Sequence, residues 1–586
     1  MIATKKKLAL TLLFAGITFL VLSLLYFSAL PADFFPLDDK LLLDTPIMHA
    51  PLQWQSLKTF FTPGSNADFY PVRDLSYRVD ISLFGFSPLA LRWINIFYFS
   101  VASGALFFLF LEMNIALSIS VGIASLWALH PFHAEMIVWV SSRKDILSIL
   151  FMLLSLCCLV QSRKEKDESL LLGGSVFFFL LCCLSKASFS LIPVLLLLAM
   201  FLGKLENSRK MRFYAFGMCL IGAGFSLLSM WYYSAVNNMH SDLSFLERTP
   251  AVITALGKAM AGWIYPGANQ TDLDEWGEWS SLNRPYLLLG ILCVGAYVYS
   301  TRKAILRKDK NLLLGLCAVL FCYLAVPSVI SAHRYTYAVR YFEPLSLVLF
   351  LLLANSVQQP MRHKYYLFLV VAICALSTAY LAQFWKNSLG VSMRALSNEP
   401  RGIVERTAVL RDLANLGSSL SPVEAKLRME SARYLENRCS RIVPIQSAYD
   451  AELSCHTYFG LGFQMSLWKK DYAGAERFLE LSHKIEYKNI HSPRQLDRMD
   501  MEFKLALGTA AVKEADHWLR WQEFNLDERN RLITLAALCL RGDIDSAKEK
   551  RKRWENELLL EPTSVDTFEE ESVAPNLRPA IHSCLH

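Results

Sequence analysis

Eleven apolar runs, each close to the roughly 20 residues a helix needs to cross a bilayer, divide the first 385 positions of this chain. They fall near 8–29, 90–112, 114–130, 145–161, 169–185, 188–204, 213–235, 285–300, 312–330, 338–355 and 365–385. A soluble domain cannot bury so many such helices, so the chain is expected to be an all-α, polytopic membrane protein. Composition agrees, with 54% hydrophobic and only 19% charged residues over 586 positions. The first run follows Lys5, Lys6 and Lys7 and exceeds the roughly 7–15 residues of a secretory signal core, so it reads as an uncleaved anchor.

Lysine and arginine in short connectors set the orientation. With a cytoplasmic amino terminus, the inside loops carry Arg163, Lys164 and Lys166; Lys204, Arg209, Lys210 and Arg212; Arg302, Lys303, Arg307, Lys308 and Lys310; and Arg362 with Lys364. Every strongly basic connector then lies inside. The net charge of +7 follows from topology and gives no reason to invoke nucleic acid. Outside lie 30–89, 236–284 and everything after 386. The expected division is a transmembrane domain over 1–385 and an exported helical domain over 386–586, in the inner membrane if the source is a bacterium.

Nine of the 13 cysteines lie in the apolar runs, and Cys439, Cys455, Cys539 and Cys584 lie in the tail. Four cysteines in an oxidising compartment allow three pairings. The expectation is the neighbours, Cys439–Cys455 and Cys539–Cys584. The tail also carries a degenerate repeat, in "WKKDYAGAERFLELSHKI", "ALGTAAVKEADHWLRW" and "LRGDIDSAKEKRKRWENELL". Gly508 and Gly542 are 34 residues apart, the period of a tetratricopeptide helix pair. Ala475, Ala515 and Ala547 supply the small residues that let paired helices approach. An irregular helical bundle is the alternative, and either form is a binding or positioning module.

The outer face collects polar residues from five connections. Asp38 and Asp39 follow the first run; Tyr70, Arg73, Asp74, Arg78 and Asp80 precede the second. The hairpin "LHPFHAEMIVWVSSRKDILS" holds His130, His133, Glu135, Arg143, Lys144 and Asp145, while "LSKAS" holds Lys186 and "SAHRYTY" holds His333, Arg334 and Tyr335. Charges at the ends of spans are cheap and prove little alone. Their mixture on one leaflet suits sugar transfer from a lipid phosphate to a hydroxyl. That chemistry needs a carboxylate to take the acceptor proton and a cation to stabilise the departing phosphate. Asp38 or Asp39 is a natural base, and Arg334 and Lys186 are natural phosphate partners.

The segments "PLDD", "FYPVRDLSYRVDISLFGFSPLALRWIN", "ALHPFHAEMIVWVSSRKDILSILF", "LSKASFSLIP" and "HRYTY" resemble, in order and side, the GT-C glycosyltransferases with carboxy-terminal tetratricopeptide repeats. The likeness is to the transmembrane and tetratricopeptide-repeat O-mannosyltransferases, as a bacterial relative. Its most specific part is the hairpin, where His130, Pro131, His133, Glu135, Trp139, Arg143, Lys144 and Asp145 match HPxHxExxxWVxxRKD. The resemblance implies transfer of mannose or another hexose, with inversion, from a polyprenyl-phosphate (undecaprenyl-phosphate) sugar at the extracytoplasmic face. The acceptor would be Ser or Thr of an exported protein.

Carried to this chain, it implies catalysis by Asp38, Asp39 and Glu135 and donor-phosphate binding by Arg334, Lys186 and Arg73. His130, His133, Arg143, Lys144, Asp145 and Tyr335 would shape the site or meet the acceptor. A divalent metal, Mg or Mn, stays open as a cofactor, with Asp39, His133 and Glu135 as its candidate ligands. The chain departs from the family pattern at Leu37, at Tyr70 where the family has arginine, at Ala187 and at His333. Arg73 stands near enough to replace the missing arginine. Within 236–284, "TPAVITALGKAMAGWIYPG" is apolar at helical spacing and is expected to lie as an interfacial helix on the outer leaflet, followed by a solvated loop, "TDLDEWGEW". Three rival readings are transfer to lipid A or a surface polysaccharide, a transporter, and a non-catalytic membrane scaffold. The transporter reading is disfavoured because the middles of the spans carry almost no charge.

Overall fold

The computed structural model describes residues 4–35, 53–62, 69–163, 168–205, 209–235, 245–265, 274–275, 284–326, 335–356, 364–398, 421–439, 471–484, 501–507, 528–556 and 572–585, with isolated positions between them that include Asp39. Asp38, His333, Arg334 and Cys455 lie outside the described residues, and so do Ala515 and the side chains of Tyr335 and Cys439.

The described residues are almost wholly helical. Eight helices are long and apolar enough to cross a membrane: Lys5–Leu25, Pro88–Glu112, Val140–Ser162, Glu168–Ser185, Arg209–Leu228, Arg284–Arg307, Val339–Ser356 and Tyr365–Lys386. Three shorter apolar helices, Leu117–Ala128, Ala187–Phe201 and Lys310–Leu324, complete the set. All eleven coincide with the apolar runs and are numbered here as spans one to eleven in chain order. The chain has the architecture of a polytopic membrane protein, but three of the expected spans are shorter than a bilayer is thick. At 1.5 Å per residue, the 12 residues of span three reach about 18 Å of a hydrocarbon core of about 30 Å. Its helix stops at Ala128 because Pro131 follows within three residues.

Span two is the most enclosed, packed between spans one and four. Its buried Ser100 and Ser103 donate to the carbonyls of Ile96 and Phe99, as hydroxyls inside an apolar bundle must. At one end of the bundle Lys7 meets Glu112 at 3.1 Å and the Leu111 carbonyl at 2.9 Å. Near Lys210, 3.2 Å from Glu168, and Lys310, 2.8 Å from the Leu202 carbonyl, basic connectors also meet neighbouring span ends.

The helix Phe245–Ile264 forms where the sequence places it. It packs along span eight. A Cβ at Gly257 would sit 1.8 Å from the Tyr286 carbonyl oxygen, and one at Gly290 would sit 2.0 Å from the Ile253 carbonyl oxygen. The two backbones therefore touch only because both positions are glycine. Part of the acidic loop is also ordered, since Asp274–Glu275 pairs antiparallel with Tyr335–Tyr337.

The described part of the tail contains short helices: Pro422–Cys439, Tyr472–Lys484, Glu528–Arg541, Ile544–Asn556 and Arg578–Leu585. Glu528–Arg541 turns back into Ile544–Asn556 through Gly542, whose φ of +81° favours glycine. Asp543 caps the second helix by accepting from Ser546 N at 3.3 Å, and Ala547 is fully buried. The same device recurs at Asp471, which accepts from Gly474 N at 3.0 Å ahead of the fully buried Ala475. Cys539 and Cys584 form the expected disulfide and tie the last helix to this hairpin. The expected Cys439–Cys455 pair falls outside the described residues.

Candidate functional site

The hairpin between spans three and four is not a solvated turn. His130 caps a 3-10 turn at Pro131–His133, a one-turn helix Ala134–Val138 follows, and extended backbone at Trp139 leads into span four. Its polar side chains are buried, and they reach different elements.

His130 Nδ1 accepts from Phe132 N at 3.2 Å, leaving Nε2–H to donate to the Trp263 carbonyl at 3.3 Å on the docked helix. His133 Nδ1 lies 2.8 Å from Glu343 Oε2 in span ten, its ring against Trp127 and Phe99. Burial pushes both imidazoles down to about 3, so each is neutral near pH 7. Glu135 Oε1 accepts from Arg340 Nη1 of span ten, and the Arg340 guanidinium lies 4.6 Å from the centre of the Trp139 ring. Burial raises the Glu135 carboxyl while the Arg340 charge opposes that rise.

Asp145 pairs with Lys186, whose ammonium lies 5.6 Å from the Tyr341 ring centre. Burial lowers the lysine and the Asp145 charge raises it. The two pairs sense one another, since Asp145 and Lys186 both act on Glu135, and Arg340 and Lys144 both act on Lys186. Glu135, Asp145, Lys186 and Arg340 thus form one buried cluster of two ion pairs, on which the Glu343 carboxyl also acts.

Asp39 lies beside the hairpin. Its Oδ1 accepts from Ser141 N at 2.8 Å and its Oδ2 from Phe35 N at 3.0 Å, which ties the segment after span one to the hairpin. Arg92 of span two reinforces that tie by donating to the carbonyls of Ala32, Asp33 and Val138. Arg73 bonds Asp74 at 2.7 Å, and with Lys144 it flanks the Tyr70 ring at 5.1 and 5.0 Å.

Arg143 is buried and saturated, with Asn95 Oδ1 at 2.7 Å, Ser76 Oγ at 3.3 Å, the Leu91 carbonyl at 3.1 Å and Asp80 as its ion-pair partner. It locks the helix Pro71–Phe84 to spans two and four. The three candidate metal ligands also face different groups: Asp39 backbone amides, His133 Glu343, and Glu135 Arg340. Among the described residues no three His, Cys, Asp or Glu side chains come together as a metal site.

The structure thus gathers Glu135, Asp145 and Lys186 as the sequence suggests, and adds Arg340 and Glu343. Both lie at the start of the run read as apolar span ten, in "VRYFEP". The signal was present, because an ionisable residue inside a span is by default a site candidate. No protein-family model matches the chain. No curated protein and no solved structure matches it either. What the fold establishes is an all-α chain of eight long apolar helices and three shorter ones, among the described residues.

Proposed function

We propose that this protein is a membrane glycosyltransferase that moves a hexose from a polyprenyl-phosphate donor to an acceptor hydroxyl at the extracytoplasmic face. The observation that carries this reading is convergence: the first outer loop, the hairpin, the Lys186 turn and the start of span ten meet through Asp39–Ser141, Glu135–Arg340 and Asp145–Lys186. Such a set supplies the carboxylates and the cations that the chemistry requires.

In the proposed step the acceptor oxygen forms a bond to the anomeric carbon from the face opposite the phosphate. The bond from that carbon to the phosphate oxygen breaks, and its electron pair leaves with the polyprenyl phosphate. A carboxylate of the first outer loop, Asp38 or Asp39, takes the hydroxyl proton. Lys186 and Arg340 offset the charge that builds on the phosphate, with Arg334 a further candidate for the same work. The sugar would be mannose or another hexose and the acceptor a Ser or Thr of an exported protein, held by the helical tail in the periplasm. The test is transfer of label from polyprenyl-phosphate sugars by membranes containing the native protein or its Asp38 and Asp39 variants.

A further inference from the structure

Four polar atoms of the hairpin are buried without a hydrogen-bond partner, His133 Nε2 beside Glu343 and three on or against this cluster: Glu135 Oε2, Asp145 Oδ2 and Trp139 Nε1. These three are on side chains no more than 6% exposed. Leaving such an atom unsatisfied costs about 1–3 kcal/mol, so three together mark an incomplete site. Their chemistry limits what completes it. The two carboxylate oxygens only accept, and the indole N–H only donates. Each of these two carboxylates already has its own cation, Arg340 for Glu135 and Lys186 for Asp145, so neither oxygen calls for a further one. The missing partner is a neutral group with at least two donors and one acceptor, as the hydroxyls of a sugar provide.

We infer that Glu135, Asp145 and Trp139 form the subsite that holds the transferred sugar. Glu135 Oε2 and Asp145 Oδ2 each accept from a sugar hydroxyl, and Trp139 Nε1–H donates to a sugar oxygen. Arg340 stacks on the Trp139 ring and bonds Glu135, which fixes two of the three groups before the ligand arrives. The inference rests on the glycosyltransferase reading and deepens it, because it makes Glu135 a sugar-binding group rather than the base.

The test uses the full-length protein in lipid nanodiscs, with undecaprenyl phosphate and its mannosyl, glucosyl and galactosyl forms as probes. The readout is preference, the ratio of Kd for the bare lipid to Kd for the best glycosylated one. The native protein is expected to prefer a glycosylated lipid, and Trp139→Phe, which keeps a ring for Arg340, is expected to lower that preference about fivefold, the worth of one neutral hydrogen bond. Asp145→Asn reads the second contact and serves alone should Trp139→Phe fail to fold. A native preference left unchanged by both variants overturns the subsite, since water alone then fills it, and leaves the transferase reading standing. A native protein with no preference for any of the sugars overturns the subsite as well, and the reading beneath it if no label is transferred.

Discussion

Arg340, at the start of span ten, bonds Glu135 on a hairpin 205 residues earlier in the chain, and both side chains are buried. A charge in such a place is tolerated only when it is paired, and removing one partner of a buried pair costs about 3–5 kcal/mol. Arg340→Leu is expected to lower stability by that order, and Glu135→Leu/Arg340→Met to recover most of it. Thermal unfolding in detergent checks this, and an Arg340→Leu protein as stable as the native one would contradict it.

The hairpin histidines predict an acid-sensitive fold. Burial pushes His130 and His133 from 6.5 to about 3. Between those values the unfolded chain binds protons that the folded chain does not. Their contribution to stability is therefore complete above about pH 6.5 and is lost as the pH falls towards 3. Comparing melting temperatures at pH 7.5, 5.5 and 4.5 should show a steeper decline in the native protein than in His130→Gln/His133→Gln. Equal slopes would mean that the imidazoles titrate freely.

The glycine crossing between the helix Phe245–Ile264 and span eight sets a steric prediction. Gly257→Leu forces a Cβ into the Tyr286 carbonyl, and the neighbour that must give way is backbone. The docked helix should detach from span eight, taking the Trp263 carbonyl away from His130. Limited proteolysis within 236–284 should then be at least several-fold faster than in the native protein, and an unchanged cleavage rate would show that the helix is held elsewhere.

In the tail, the Cys539–Cys584 disulfide closes a separation of 45 residues. Removing a bridge of this kind costs about 2–5 kcal/mol. Cys539→Ser/Cys584→Ser should therefore unfold at clearly lower denaturant when the transition is followed by a probe placed on the helix Arg578–Leu585. A midpoint equal to that of the native protein would show that the bridge is dispensable.

Much of this fold was legible because hydropathy and basic connectors act locally. Each of the eleven apolar runs became a helix where it was expected, and the crowded hairpin between spans three and four did gather charge. What local pattern hides is partnership across the chain. Arg340 and Glu343 lay inside a run that averages as apolar, so their charges passed as minor interruptions. Arg143 belongs to the most specific motif of the hairpin, yet its donors are taken by Asn95, Ser76, Asp80 and the Leu91 carbonyl. A motif shows that a residue matters, not whether it meets a ligand or holds the bundle. The docking of Phe245–Ile264 depends on Gly257 meeting Gly290, two positions on separate helices that no single amphipathic pattern relates.

The most direct measurement of the central claim is label transfer from a panel of radiolabelled undecaprenyl-phosphate sugars in membranes, with native protein, Asp38→Asn, Asp39→Asn and Glu135→Gln at equal expression. The account predicts product from at least one donor, at least a hundredfold loss in one aspartate variant, and partial loss in Glu135→Gln that higher donor concentration offsets. Transfer that persists unchanged through all three substitutions would contradict an outer-face active site, and no transfer from any donor would favour a membrane scaffold.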